Sequence, residues 1–165
     1  MNILIKNIKI LITLFILLGV PINFNLVYSA GSGNAGSDKA TLYNIGKKLV
    51  IRAKKLENKN KVEKAQKLYL KALDKFEKAY TKDKKNADLL NYFGYTLRKT
   101  GNFEKAEIYY LKGLELDAGH LGINEYLGEL YVETDRIELA RERLQVLSDC
   151  KCEEYEELKE LIEKN

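Results

Sequence analysis

The chain has 165 residues, 45% of them hydrophobic and 32% charged, and a formal net charge of +4. That length leaves room for one domain with a modest core. With one His, two Cys and no glycine-rich phosphate loop, the sequence shows no metal-ligand cluster and no nucleophile with its base, so neither an enzyme nor a cofactor is expected.

Lys6 and Lys9 precede an apolar run from Ile10 to Val20, which Pro21 ends. A weakly polar stretch follows, through Val27, Tyr28, Ser29 and Ala30, into a Gly/Ser-rich segment. A basic start, a short apolar middle and a small-residue exit are the parts of a secretory signal peptide. The run is shorter than the roughly 20 apolar residues that span a bilayer. Residues 1–29 are therefore predicted to be a signal peptide cut near 29/30, and 30–38 a flexible linker. The exit is imperfect, since Tyr28 or Val27 falls where a small side chain is preferred. Export, with the periplasm as destination, is the expectation, and an uncleaved leader in the inner membrane is the alternative. Nucleic acid is not an expected partner for an exported chain.

The remainder, 39–165, carries a charge gradient. Residues 39–86 hold 16 Lys/Arg against 5 Asp/Glu, residues 87–120 hold 4 against 5, and residues 121–165 hold 6 against 13. Either both blocks are solvated helix faces, or the basic part meets anionic lipid or an acidic partner, or molecules associate end to end. Contact with an anionic membrane through the Lys-rich first helix pair is one such expectation.

Leu42, Ile45, Leu49, Ala53 and Leu56 lie on one face of a helix predicted from about 39 to 57. Ala65, Tyr69, Ala72, Phe76 and Ala79 continue one stripe of a second helix, from about 62 to 82. Two further helix pairs are predicted at about 87–118 and 121–149, and a final helix at 153–164. A fixed period ties these elements together. Gly94 and Gly128 are 34 residues apart, as are Ala106 and Ala140, each Ala being followed four residues later by a large residue, Tyr110 or Leu144. Gly101-Asn102 and Asp135-Arg136 mark the turns inside each pair, where residues tolerant of positive φ are wanted. Ala65 to Ala106 is 41 residues, seven more than the period and close to two helical turns, so the excess keeps the helical phase.

With Leu127, Gly128 and Tyr131 in the first helix of a pair and Ala106 and Tyr110 in the second, the sequence resembles the tetratricopeptide repeat. The resemblance covers about residues 46–165. It implies an all-α solenoid of three helical hairpins, the first elongated, closed by a C-terminal capping helix whose outer face is charged. Two departures stand out: Asn124 occupies the slot of a large first residue, and the closing proline is absent, Ala118 and Cys152 standing in its place.

The resemblance also implies a groove lined by the first helix of each pair, which holds a protein or peptide partner. Counting from Ala87, the inward positions are Asp88, Asn91, Tyr95 and Arg98, then Gly122, Glu125, Glu129 and Val132, with Glu133 beside them. Partner binding is assigned to Asn91, Tyr95, Arg98, Glu125 and Glu129: Tyr95 to stack on a ligand, Asn91 to bond a peptide backbone. Family members that bind chaperones grip a carboxylate with Lys, Asn and Arg. The acidic later half here points instead to a basic or amphipathic segment, held by an envelope scaffold or adaptor. His120 is read as a solvated loop side chain. Cys150 and Cys152 leave three readings open: an intramolecular disulfide, free or partner-linked thiols, or a metal pair suited to copper(I), so a thiol-redox or metal-handling accessory is the alternative function. Small exported tetratricopeptide proteins with a Cys-containing tail before Glu-Glu-Tyr are similar to the segment from Cys152 to Tyr155.

Overall fold

The computed structural model describes residues 35–165; the predicted leader, its cleavage point and the first part of the linker lie outside the described residues. Among those residues there are seven helices and no strand: α1 Ala35–Glu57, α2 Val62–Lys82, α3 Ala87–Lys99, α4 Phe103–Leu116, α5 Leu121–Glu133, α6 Ile137–Val146 and α7 Glu153–Glu163. Consecutive helices pair as α1/α2, α3/α4 and α5/α6, and α7 packs on α5 and α6. The first helix starts at Ala35, inside the segment read as linker. Gly36 and Ser37 are weak helix formers, but no proline stands there to stop the helix. None of the described helices is long and apolar enough to cross a membrane.

The three hairpin turns share one backbone solution. Asn60 (φ 53°), Gly101 (φ 82°) and Asp135 (φ 57°) take left-handed conformations, which glycine adopts freely and Asn and Asp tolerate. The next residue's N–H then reaches back to the last turn of the preceding helix: Lys61 to the Leu56 carbonyl (2.9 Å), Asn102 to Leu97 (2.9 Å) and Arg136 to Tyr131 (2.8 Å). This reversal satisfies a carbonyl that would otherwise be orphaned at the helix end.

Between hairpins, side chains one period apart start the next helix. The Asn86 Oδ1 accepts from the Leu89 N–H at 2.9 Å, and the His120 Nδ1 accepts from the Ile123 N–H at 3.2 Å. Asn124 stands where a large apolar residue was expected, and it is fully buried. Its amide donates to the carbonyls of Ala118 (3.0 Å) and His120 (3.1 Å). Asn124 therefore holds by hydrogen bonds a junction that has no proline to stiffen it.

Packing follows from small residues facing large ones. A Cβ on Gly46 would sit 2.5 Å from the Phe76 ring, one on Gly94 2.6 Å from the Tyr110 ring, and one on Gly128 2.5 Å from Leu158. Phe76 precedes Tyr110 by one period, so the two rings fill equivalent notches. Helix α2 has 21 residues against 14 in α4, which puts the seven-residue excess inside α2 without turning its buried stripe of Ala65, Tyr69, Ala72, Phe76 and Ala79. Gly94→Ala should lower stability by about 1–3 kcal/mol, because the buried Tyr110 ring cannot yield. That loss outweighs the ~1 kcal/mol that alanine gains in helix propensity. Urea unfolding checks it, and an unchanged or raised midpoint would contradict the notch.

Helix α7 closes the array. Leu158 and Ile162 are buried and Tyr155 and Leu161 half-buried, while Glu153, Glu156, Glu160 and Glu163 face water.

Candidate functional site

Helices α1, α3, α5 and α7 lie in sequence along one side, each touching the next, and the residues expected to bind a partner fall on them. Most are already engaged with one another. The Tyr95 ring packs against Tyr126 (centroids 4.8 Å apart) and Tyr69 (6.1 Å). Lys54 Nζ lies 5.4 Å from the Tyr95 centroid and 5.7 Å from that of Tyr126, and the Arg98 guanidinium lies 5.6 and 5.9 Å from the same two rings. Tyr95 is 5% exposed. It is an internal strut here, and stacking on a ligand, the role expected of it, would require it to leave its neighbours. The network extends through Tyr69, whose hydroxyl donates to Glu57 at 2.7 Å, and Lys99, which pairs with Glu57 at 3.0 Å.

Arg98 is 6% exposed. Its two terminal nitrogens donate to Glu129 and, at 2.5 Å, to Glu133. Glu133 carries a contact that counting along the helix left beside the site. With both carboxylates bound to it, Arg98 has no charge to offer a ligand anion.

Glu125, Glu129 and Glu157 bring carboxylate oxygens within 4.8 Å of one another across α5 and α7. Three hard oxygen ligands are a set that a divalent cation uses, a grouping the sequence did not show, though the Arg98 charge on Glu129 opposes one. Glu125 is 3% exposed. Burial first, then a hydrogen bond with Glu157 and the charge of Glu129, raise its pKa to about 9. At neutral pH Glu125 is a neutral acid, not the anion that a charge count makes it. Glu157 was missed because the capping helix was read as a charged outer face, and Glu157 sits at its inner edge.

Beside this layer a cleft of about 460 Å³ opens between α3 and α5, with Lys47 of α1 and Glu154 of α7 at its margins. Asp88, Asn91 and Tyr92 come from α3, Asp117 and His120 from the junction, and Gly122, Glu125 and Tyr126 from α5. Asn91 is 6% exposed, and its Oδ1 is buried without a hydrogen-bond partner. Its Nδ2 lies 2.8 Å from where a Cβ on Gly122 would be, so the amide reaches from α3 across to the α5 wall. His120, read as a solvated loop residue, is a helix cap and also faces Asp88, with Nε2 3.3 Å from Oδ1. Its position one period after Asn86 was the signal that would have shown this.

Cys150 and Cys152 are joined in a disulfide, their Cα atoms 5.2 Å apart. Side chains two residues apart normally diverge; Lys151 between them adopts φ 48°, and this left-handed residue brings them together. Of the three sequence readings the structure holds the disulfide. It closes the α6–α7 junction, with Cys152 as the residue before α7.

No protein-family model matches the chain, and no curated protein matches it in sequence. Solved structures do match its fold. One is a tetratricopeptide repeat protein from Parabacteroides merdae, with a TM-score of 0.53, 16% identity and coverage of 73% of this chain; the chain spans 60% of that protein. The second TPR domain of human RPAP3, solved with the HSP70 peptide SGPTIEEVD, gives a TM-score of 0.54 and 16% identity over 77% of this chain and 99% of that one. The Arabidopsis OM64 TPR domain gives 0.53 and 12% identity over 74% and 98%. Three hairpins with one turn geometry, glycine notches filled by large side chains and a closing helix, together with these likenesses, establish that residues 35–165 have the tetratricopeptide repeat fold.

Proposed function

We propose that this chain is a non-catalytic interaction module of the cell envelope that holds a basic or amphipathic segment of a partner protein on the face formed by α1, α3, α5 and α7. The observation that carries this reading is the cleft on that face, lined by the carboxylates Asp88, Asp117 and Glu154 against one lysine, Lys47. The RPAP3 domain was solved with a peptide that ends in acidic residues. In this chain the one arginine expected in the groove is bound internally to Glu129 and Glu133. Charge complementarity therefore favours a cationic segment. Export rests on the two lysines, apolar run and small-residue exit of residues 1–30.

The thiol-redox alternative has the Cys150–Cys152 bond in its favour. Glu153, Glu154 and Glu156 crowd the first turn of α7 beside Cys152. The bond closes the turn between α6 and α7, with Lys151 in a left-handed conformation inside it, so we assign it to bracing the junction.

Crosslinking and mass spectrometry in native envelopes tests the proposal. One defined protein should be captured, and the double variant Asp88→Lys/Asp117→Lys should lose it. Equal capture by that variant would remove the cleft from the interface, and fractionation of the chain outside the envelope would remove the location.

A further inference from the structure

We infer that the cleft between α3 and α5 is a socket for a single arginine side chain of the partner. This rests on the reading above and deepens it.

The first support is the orphaned acceptor. Asn91 is buried, its amide points at Gly122 on the opposite wall, and its Oδ1 has no donor. A buried oxygen left unpaired is unfavourable, and a donor entering the cleft relieves that when the Asn91 amide turns its oxygen toward it. The second is the supply of acceptors at the rim. Asp88 and Asp117 are exposed carboxylates that line the cleft; one oxygen of each is engaged, Asp88 Oδ1 3.3 Å from His120 Nε2 and Asp117 Oδ1 accepting from the Gly119 N–H at 3.2 Å. The third is the aromatic lining of Tyr92 and Tyr126. Lys47 Nζ rests 5.3 Å from the Tyr92 centroid, and Lys54 and Arg98 lie 5.7 and 5.9 Å from that of Tyr126, so both rings already draw cations.

Orphan amide, rim carboxylates and tyrosine faces together describe the surroundings a guanidinium prefers. It is planar, has five N–H donors in a fixed fork and stacks on rings, whereas an ammonium is a compact, strongly hydrated charge. Anionic ligands are repelled by Asp88, Asp117 and Glu154. The single basic side chain lining the cleft, Lys47, would compete with an incoming arginine.

That competition supplies the test. The purified full chain is titrated with acetyl-Gly-Arg-Gly-amide and followed by NMR at the Asn91 side-chain amide and the Gly122 N–H. Saturable shifts are expected, larger than those with the lysine analogue and absent with the glutamate analogue. Lys47→Met should tighten binding about fivefold and Asp88→Asn/Asp117→Asn should weaken it about fivefold, the effect of one exposed ion pair. Neither change touches the buried core, so each variant should remain folded, which thermal unfolding checks. Absence of shifts at Asn91, weaker binding by Lys47→Met, or equal binding of the lysine analogue would overturn the socket. If the peptide fails while envelope crosslinking still captures a partner through the cleft, the arginine assignment falls and the interaction role stands. If the peptide binds and nothing is captured, the interaction role falls.

Discussion

Replacing Arg98 with alanine should destabilise the protein by about 3 kcal/mol or more, the loss typical of breaking one side of a buried ion pair. Arg98 is buried against the faces of Tyr95 and Tyr126 and donates to two carboxylates of α5. Its removal leaves Glu129 without its cation beside Glu125 and Glu157, where three carboxylates already face one another. The loss is therefore expected to depend on charge more than on volume. Arg98→Met retains much of the side chain's bulk and should still be strongly destabilising, whereas adding Glu129→Gln to it should restore more than half of the lost stability. Urea unfolding of the single and double variants measures the coupling. A loss under about 1 kcal/mol for Arg98→Ala, in the range of surface pairs, would show that Glu129 and Glu133 do not depend on it.

The second large effect is a dependence on pH. The Glu125 pKa is raised by burial and by the facing carboxylates to about 9 in the folded protein, from an ordinary value of 4.5. Folding therefore takes up a proton between those limits. The contribution is fully present below the unfolded value and is lost as pH rises toward the folded one. In this window stability should fall by up to ~1.4 kcal/mol per pH unit, the limit for one proton. The groups that face Glu125 are Glu129 on its own helix, Glu154 and Glu157 on α7, and Arg98 behind Glu129. Glu125→Gln keeps the shape and removes the titration, so it should flatten the profile and be more stable than the parent at pH 8. Hydrogen exchange localises the change: α7 amides should exchange faster at pH 8 than at pH 6 in the parent, after correction for the intrinsic rate, and equally in the variant. A variant with the parent's slope would place the proton elsewhere.

The parts of this structure that were legible in the sequence are those fixed by spacing along the chain. Gly94 and Gly128, Ala106 and Ala140, and the turns at Gly101 and Asp135 repeat at one interval because each faces the same steric demand in every hairpin. The seven-residue excess of α2 was readable for the same reason, since two helical turns return a stripe to its own face. What a side chain meets on the next helix was not readable. Counting placed Arg98 and Glu129 on neighbouring helices without showing that they bind each other. It put Glu125 among the charged groups because Glu157, which helps to neutralise it, lies 32 residues on in a helix treated only as a cover. Nor did it distinguish Tyr95, enclosed by two tyrosines and two cations, from Tyr92 at the cleft wall, though they are three residues apart. His120 was legible in principle, since Asn86 caps the preceding hairpin from the same phase.

The notch at Gly128 is filled differently from the two before it. In the first two hairpins the glycine of the first helix receives a ring from the second helix of the same unit, Phe76 on Gly46 and Tyr110 on Gly94. In the third, the group that fills it is Leu158, from α7. By lending its leucine to the final notch, α7 makes the third hairpin depend on the closing helix for its packing. Truncating Leu158 would therefore open a void in the packing of α5 itself, so the closing helix is a structural part of the third hairpin as well as its cover.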